Sequence, residues 1–222
     1  NLRKSISFTL NKPEKNNFGT IIRNSEVWLC QGDNEIIKQD ELGIKGEHNV
    51  ANALAAIALA TSVNVPFDSM IKTLRSFSGL EHRCQRVATI KEIDWFNDSK
   101  ATNIAACIAS IKSLSDLGEI ILIAGGDSKD ANFSSLKPII AKHVKHVFLL
   151  GLDAKKIANV IDPEVTYDFV ADMTEAVNAA NDLAEAGEIV LLAPACASLD
   201  MYESYQERGN AFVDAINMLE AS

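Results

Sequence analysis

From Gly79 onward the sequence alternates between short segments that are apolar through both faces and longer amphipathic stretches. Segments 92–96, 120–124, 146–150, 166–170 and 188–192 read as strands, and 103–114, 136–143, 154–160, 174–186 and 203–219 read as helices between and after them. A strand apolar on both faces must be covered on both faces, and separation by helices makes neighbouring strands parallel. The expected fold is therefore α/β, a doubly wound, mostly parallel Rossmann-like sheet over residues 79–222, an ordinary domain length. Residues 1–78 have a different character. Segments 5–10, 20–22 and 26–30 read as short strands broken by Asn, Pro and Gly, followed by an Ala-rich helix over 49–62 with Asn49 as its N-cap. Pro66 stops that helix, a second covers 67–77, and the pattern breaks at Ser78-Gly79. Residues 1–78 thus read as the tail of another domain.

Composition narrows the class further. At 222 residues, 47% hydrophobic and 23% charged, the chain is neither disordered nor collagen-like. Its longest apolar stretch, 53–60, is far short of the roughly 20 residues that span a bilayer. A soluble, cytoplasmic chain with no membrane association is expected. The cysteines Cys30, Cys84, Cys107 and Cys196 are too dispersed for a zinc knuckle or disulfide framework and read as reduced thiols. A formal charge of -9 argues against nucleic-acid binding, so any anionic ligand must be held by locally placed cations. The chain opens at Asn1 without an initiator Met and runs straight into strand-like residues, which is expected of a fragment.

In open parallel sheets the ligand crevice lies at the carboxyl ends of the strands. Three loops there carry polar clusters: Asn97-Asp98-Ser99-Lys100-Ala101-Thr102-Asn103, Gly125-Gly126-Asp127-Ser128-Lys129, and Pro194-Ala195-Cys196-Ala197-Ser198-Leu199-Asp200. The first sets a carboxylate, an ammonium and two hydroxyls at a helix start, where free N–H groups favour an anion. A plainer reading has Thr102 or Asn103 capping the helix and Asp98 paired with Lys100 in solvent. The glycines of the second let the backbone bend and bring Lys129 toward the same crevice, or form an ordinary turn. The third presents Ser198 and backbone amides, or is a simple strand-to-helix loop. None of the eleven glycines is followed by lysine, so a Walker loop is not encoded, nor is G-x-G-x-x-G or G-x-S-x-G.

Elsewhere, Asn49 and Asn52 share a helix face, and Asn52 is not explained by helix propensity. His82, Arg83 and Arg86 follow the expected junction near Gly79, a favoured place for a site, although each cation also reads as a solvated surface charge. Trp28, Trp95 and Phe96 read as core, and His143 and His146 have no metal-ligand spacing.

Five segments occur in order: G-E-H-N-V-A-N-A-L-A-A from Gly46, G-L-E-H-R from Gly79, N-D-S-K-A-T-N from Asn97, G-G-D-S-K from Gly125, and A-P-A-C-A-S-L-D through Q-E-R-G-N-A-F from Ala193. Together they resemble the bacterial Mur ligases, and the D-S-K-A-T-N loop resembles the glutamate-adding branch. The resemblance implies a three-domain enzyme of which this chain is the end of a central ATPase domain (1–78) and the whole amino-acid-binding domain (79–222). It implies ATP-dependent ligation of D-glutamate to UDP-N-acetylmuramoyl-L-alanine through an acyl phosphate in peptidoglycan synthesis, with ATP and Mg2+ as cofactors. The Walker loop, the magnesium ligands and the UDP-sugar site would then lie upstream, leaving the fragment inactive alone. The protein is expected to act as a monomer, without nucleic acid.

Carried over by motif, the resemblance places Asn49, Asn52, Arg83 and Asp98 on the nucleotide side, with Asp98 toward the ribose and Arg83 toward the phosphates. Thr102, Lys129, Ser198 and the backbone at Leu199 would hold D-glutamate, and His82 and Lys100 would be catalytic neighbours. Tyr205 stands where the family often has Phe, at an amino-acid contact. The alternatives are another ligase of the same superfamily, such as one extending a later stem residue or folate, or a non-catalytic binding module.

Overall fold

The continuous apolar segments become the buried centre of a sheet. The computed structural model describes residues 5–44 and 46–220, and the chain divides into two compact units, Asn1–Gly79 and Leu80–Ser222.

In the second unit the strands are β4 (Gln85–Ile90), β5 (Ile93–Asn97), β6 (Ile120–Gly125), β7 (Val144–Leu150), β8 (Thr166–Phe169) and β9 (Ile189–Leu192), in the order β4-β5-β9-β6-β7-β8. β4 is antiparallel to β5, and the other pairings are parallel. Helices α3 (Ile104–Leu114), α4 (Lys137–His143) and α5 (Ala154–Ala158) cover one face, packing Cys107, Ile111, Ile140 and Ile157 against Ile120, Leu122, Val147 and Leu191. Helices α6 (Met173–Leu183) and α7 (Tyr205–Glu220) cover the other, packing Val177, Ala180, Phe212 and Ile216 against Trp95, Ile121, Ile123 and Val190. Side chains of successive strand residues alternate between these two cores, which is why every residue of β6 and β9 is buried. The helix starts are locally encoded: the Asn103 side chain accepts the Ala106 amide at 3.0 Å, and Asp172 accepts the Glu175 amide at 2.9 Å. The doubly wound α/β expectation is met. β4, which has no strand signal in the sequence, is nowhere fully buried and carries Gln85, Arg86 and Thr89 among only three apolar residues, so it lacks an apolar run.

The chain steps from β5 past one vacant place to β6, then to β7 and β8, and only β9 returns to fill the place between β5 and β6. The carboxyl ends of β5, β9 and β6 are therefore adjacent, and their loops share one rim.

The first unit is an antiparallel meander, β1 (Phe18–Arg23), β2 (Glu26–Gln31) and β3 (Asn34–Lys38), with helices α1 (Glu47–Ser62) and α2 (Phe67–Ser76). Phe18, Leu29 and Ile37 pack with Leu54, Ile57 and Met70. Two expectations are corrected here. Segment 5–10 is not a strand but touches β1 through an isolated Phe8–Phe18 bridge and the Thr20 hydroxyl, which donates to the Leu10 carbonyl, and the third strand is instead β3, whose two isoleucines sit among charged neighbours. Gly46, not Asn49, is the N-cap of α1, its φ of 100° being open to glycine. Asn49 lies in the first turn, its amide donating to the Gly46 carbonyl at 3.0 Å. Among the described residues no helix is long and apolar enough to cross a membrane.

Candidate functional site

Four loops meet at the carboxyl edge of the second unit's sheet. Those after β6 and β9 are zipped together: the Asp127 amide donates to the Ala197 carbonyl at 3.1 Å, the Ala197 amide to Asp127 at 2.8 Å, and the Gly125 amide to Pro194 at 2.9 Å. Gly126, at φ 127°, permits this approach, since a β-carbon there would collide with the Ala197 carbonyl oxygen. The loop after β7 joins through Asp153, whose Oδ2 accepts the Ser128 amide at 2.9 Å and the Ser128 hydroxyl at 2.6 Å. These two bonds, with help from Lys156, hold the Asp153 carboxyl down at about 2. The Leu152 amide in turn donates to Asp200 Oδ2 at 2.8 Å.

Lys129 and Ser198 therefore stand on adjoining turns. Lys129 is exposed with φ 49°, and its amide donates to Asp127 Oδ1 at 2.9 Å, so the turn is fixed while the ammonium stays available to a ligand. Ser198 is buried, and its carbonyl accepts the Met201 and Tyr202 amides, which turns the chain and leaves Leu199 exposed.

The loop after β5 is ordered from beneath. Asn97, fully buried, accepts the Ser99 amide on Oδ1 at 3.1 Å, while Nδ2 donates to the Gly209 carbonyl at 3.0 Å and to His82 Nδ1 at 3.1 Å. With Nδ1 accepting, the imidazole carries its proton on Nε2. The His82 ring lies edge-on to Tyr205, with centroids 6.1 Å apart, and the Lys100 ammonium sits 4.0 Å from the centre of the same ring. The Lys100 amide donates to the His82 carbonyl at 3.1 Å. His82, Lys100 and Tyr205, widely separated in sequence, thus form one cluster. Thr102 is half-buried on the same loop, immediately before the Asn103 cap.

Asp98 does not pair with Lys100 in solvent. It is buried, with Oδ1 accepting the Cys84 amide at 3.2 Å and Oδ2 accepting the Ser110 hydroxyl. Burial raises its carboxyl above the usual range, against the opposing effects of Ser110, the Cys84 amide and Arg83. Arg83 itself is exposed, next to the residue whose amide Asp98 holds. Asn49 and Asn52 belong to the first unit, where Asn52 Nδ2 lies 3.4 Å from Asn49 Oδ1 on α1.

Arg208 escaped the sequence reading. It is 2% exposed; Nε donates to the Ser99 hydroxyl at 3.0 Å, and Nη2 donates to the Ser99 and Cys196 carbonyls at 2.9 and 3.1 Å. One guanidinium thus ties the loop after β5 to the loop after β9. A signal existed: Arg208 precedes Phe212, Ala215 and Ile216 by four, seven and eight positions, which puts it on the buried stripe of α7.

A family profile described as "Mur ligase, glutamate ligase domain" matches residues 82–196. The UDP-N-acetylmuramoylalanine–D-glutamate ligase of Pseudomonas savastanoi pv. phaseolicola is 46% identical over 215 residues, covering 96% of this chain and 48% of that protein. The ligase of the same name from Nitrosomonas europaea is 43% identical over 219 residues, covering 98% and 46%. The chain thus spans about half the length of the curated relatives it matches. Among solved structures, the UDP-N-acetylmuramate-alanine ligase MurC of Thermotoga maritima superposes with a TM-score of 0.62 at 18% identity, over 91% of this chain and 46% of that one, a likeness of fold.

Proposed function

The chain belongs to the Mur ligase family, and on that premise we propose that it is the carboxy-terminal half of an ATP-dependent ligase joining D-glutamate to UDP-N-acetylmuramoyl-L-alanine, working as a monomer. The observation that carries this reading is the single rim made by the loops after β5, β6 and β9, on which Lys100, Thr102, Lys129 and Ser198 are all placed.

An unactivated carboxylate is a poor electrophile, and ATP, when bound, supplies the phosphoryl group that gives it a leaving oxygen. This chain acts on the incoming amine. Lys129 meets a carboxylate of D-glutamate, and Thr102, the Ser198 hydroxyl and the Leu199 amide complete the grip on the diacid. The Tyr205 ring walls the pocket where the family often has Phe. The Lys100 ammonium over that ring and the Nε2–H of His82 offer positive charge and a donor to the oxygen that becomes negative as the amine adds. In the second unit, Arg83 faces the nucleotide phosphates. Asp98, whose oxygens hold the Cys84 amide and the Ser110 hydroxyl, fixes the turn next to Arg83 and keeps the ribose as its partner on the nucleotide side. Among the described residues no three His, Cys, Asp or Glu side chains gather to hold a metal ion.

Lys129→Ala in the full-length ligase should raise the D-glutamate KM by about ten- to a hundredfold, the loss of one charged hydrogen bond, and leave the ATP KM nearly unchanged. Unaltered glutamate kinetics would remove Lys129 from the site. A panel of amino-acid acceptors in which D-glutamate is not preferred would remove the substrate.

A further inference from the structure

The buried guanidinium of Arg208 has one end satisfied and one end bare. Nε and Nη2 donate to Ser99 and Cys196, but Nη1 is fully buried and has no partner. Nη1 faces Gly126, where a β-carbon would stand 3.3 Å from it. Among the described residues no carboxylate forms an ion pair with this cation; the nearest acidic influences, from Cys196, Asp200 and Tyr202, act only through space. A buried charge without a counter-ion is a net expense to folding unless something else uses it. Here it stands behind the meeting point of the loops that carry Lys100, Thr102, Lys129 and Ser198.

We propose that Arg208 is a positioning residue for the anionic amino acid: it fastens the turns of Ser99 and Cys196 in the binding geometry, and its uncompensated charge, lying beneath them, is neutralised when a diacid settles on the rim. This rests on the D-glutamate reading above and deepens it. Burial lowers the guanidinium only to about 10, so it stays charged at neutral pH. The two contributions are separable, because methionine keeps the length without the charge and lysine keeps the charge without the fork.

The test uses the full-length ligase with D-glutamate as the probe. Arg208→Met should raise the glutamate KM about tenfold or more, the scale of one charged interaction, with a much smaller change in kcat and in the ATP KM. Arg208→Lys should recover part of that loss. Losses of kcat and of both KM values in proportion to a lowered Tm, with lysine no better than methionine, would reduce Arg208 to a structural brace and overturn the proposal. If either variant fails to fold, the wild-type Arg208 Nε–H resonance, held by the Ser99 hydroxyl, decides. It should move as D-glutamate is titrated and move much less with D-glutamine, whose side-chain amide carries no charge, at equal concentration; identical spectra throughout would overturn the proposal. Lys129→Ala serves as the control: if it too leaves glutamate kinetics unchanged, Lys129 is out of the site and the rim assignment above has failed, whereas a response at Lys129 without one at Arg208 defeats only this inference.

Discussion

The two units solve the burial problem differently. In the second, helices lie on both faces of the sheet, β6 and β9 are buried along their whole length, and polar side chains are buried with them: His82, Asn97, Asp98, Asp153 and Arg208 among others. In the first, the meander puts Phe18, Leu29 and Ile37 into one core while Ile22 is 76% exposed, and among its described residues the buried side chains are apolar apart from the Thr61 hydroxyl, which is buried without a partner. Hydrophobic burial alone suffices for a small sheet. The buried polar groups of the second unit gather largely where its loops meet, so their desolvation is incurred to order a site rather than to build a fold.

The largest test of this contrast concerns cavities. Leu191→Ala, in the enclosed centre of the six-stranded sheet, should cost about 4–5 kcal/mol, and Ile37→Ala, in a meander with room to relax, about 2–3 kcal/mol. Urea unfolding can report on each unit, because Trp28 lies in β2 and Trp95 in β5, the two tryptophans of the chain. Equal costs would erase the distinction.

A smaller effect should appear with pH. Asp153 is held below the ordinary carboxylate value of 3.8, at about 2, so its stabilisation is full above 3.8 and is lost as pH falls through about 2. Asp98 is raised, so its contribution is full below 3.8 and is lost as pH rises through its elevated value. Asp153→Asn should therefore flatten the acid-side loss reported by Trp95, and Asp98→Asn should steepen it. The Trp28 signal should respond to neither, and a shared response would show that the buried carboxylates do not act locally.

The smallest difference lies in ion pairs. Lys12–Asp33 in the first unit is 72% and 79% exposed, and Lys12→Ala should change stability by under about 0.5 kcal/mol. Lys145–Glu188 in the second, at 28% and 10% and 2.6 Å, should be worth about 1 kcal/mol in a double-mutant cycle. A larger coupling for the exposed pair would reverse the ranking.

The same contrast explains what was legible in the sequence. β6, β9 and the 147–150 end of β7 announce themselves because double coverage demands unbroken apolar runs, whereas β3 and β4 are each partly wet and carry Glu, Lys, Gln and Arg among their apolar residues. At the site, Lys129, Thr102 and Ser198 were visible because each follows a readable strand. The direction of Asp98 was not: a carboxylate in a polar loop looks solvent-facing until Ser110, on the following helix, is known to lie beneath it. Arg208 was hidden for the opposite reason, since a charge on a helix is ordinarily taken for its outer surface.

The placement of β9 has a consequence for how the protein is made. The strand between β5 and β6 is the last of the sheet to leave the ribosome, so the nascent chain must keep two apolar edges apart, unjoined, until residues 189–192 emerge. A premature stop upstream of that point would release one chain carrying two ribbons that lack the strand joining them into a sheet, rather than a shortened domain, which makes this late segment the step at which synthesis is committed to success or to aggregation.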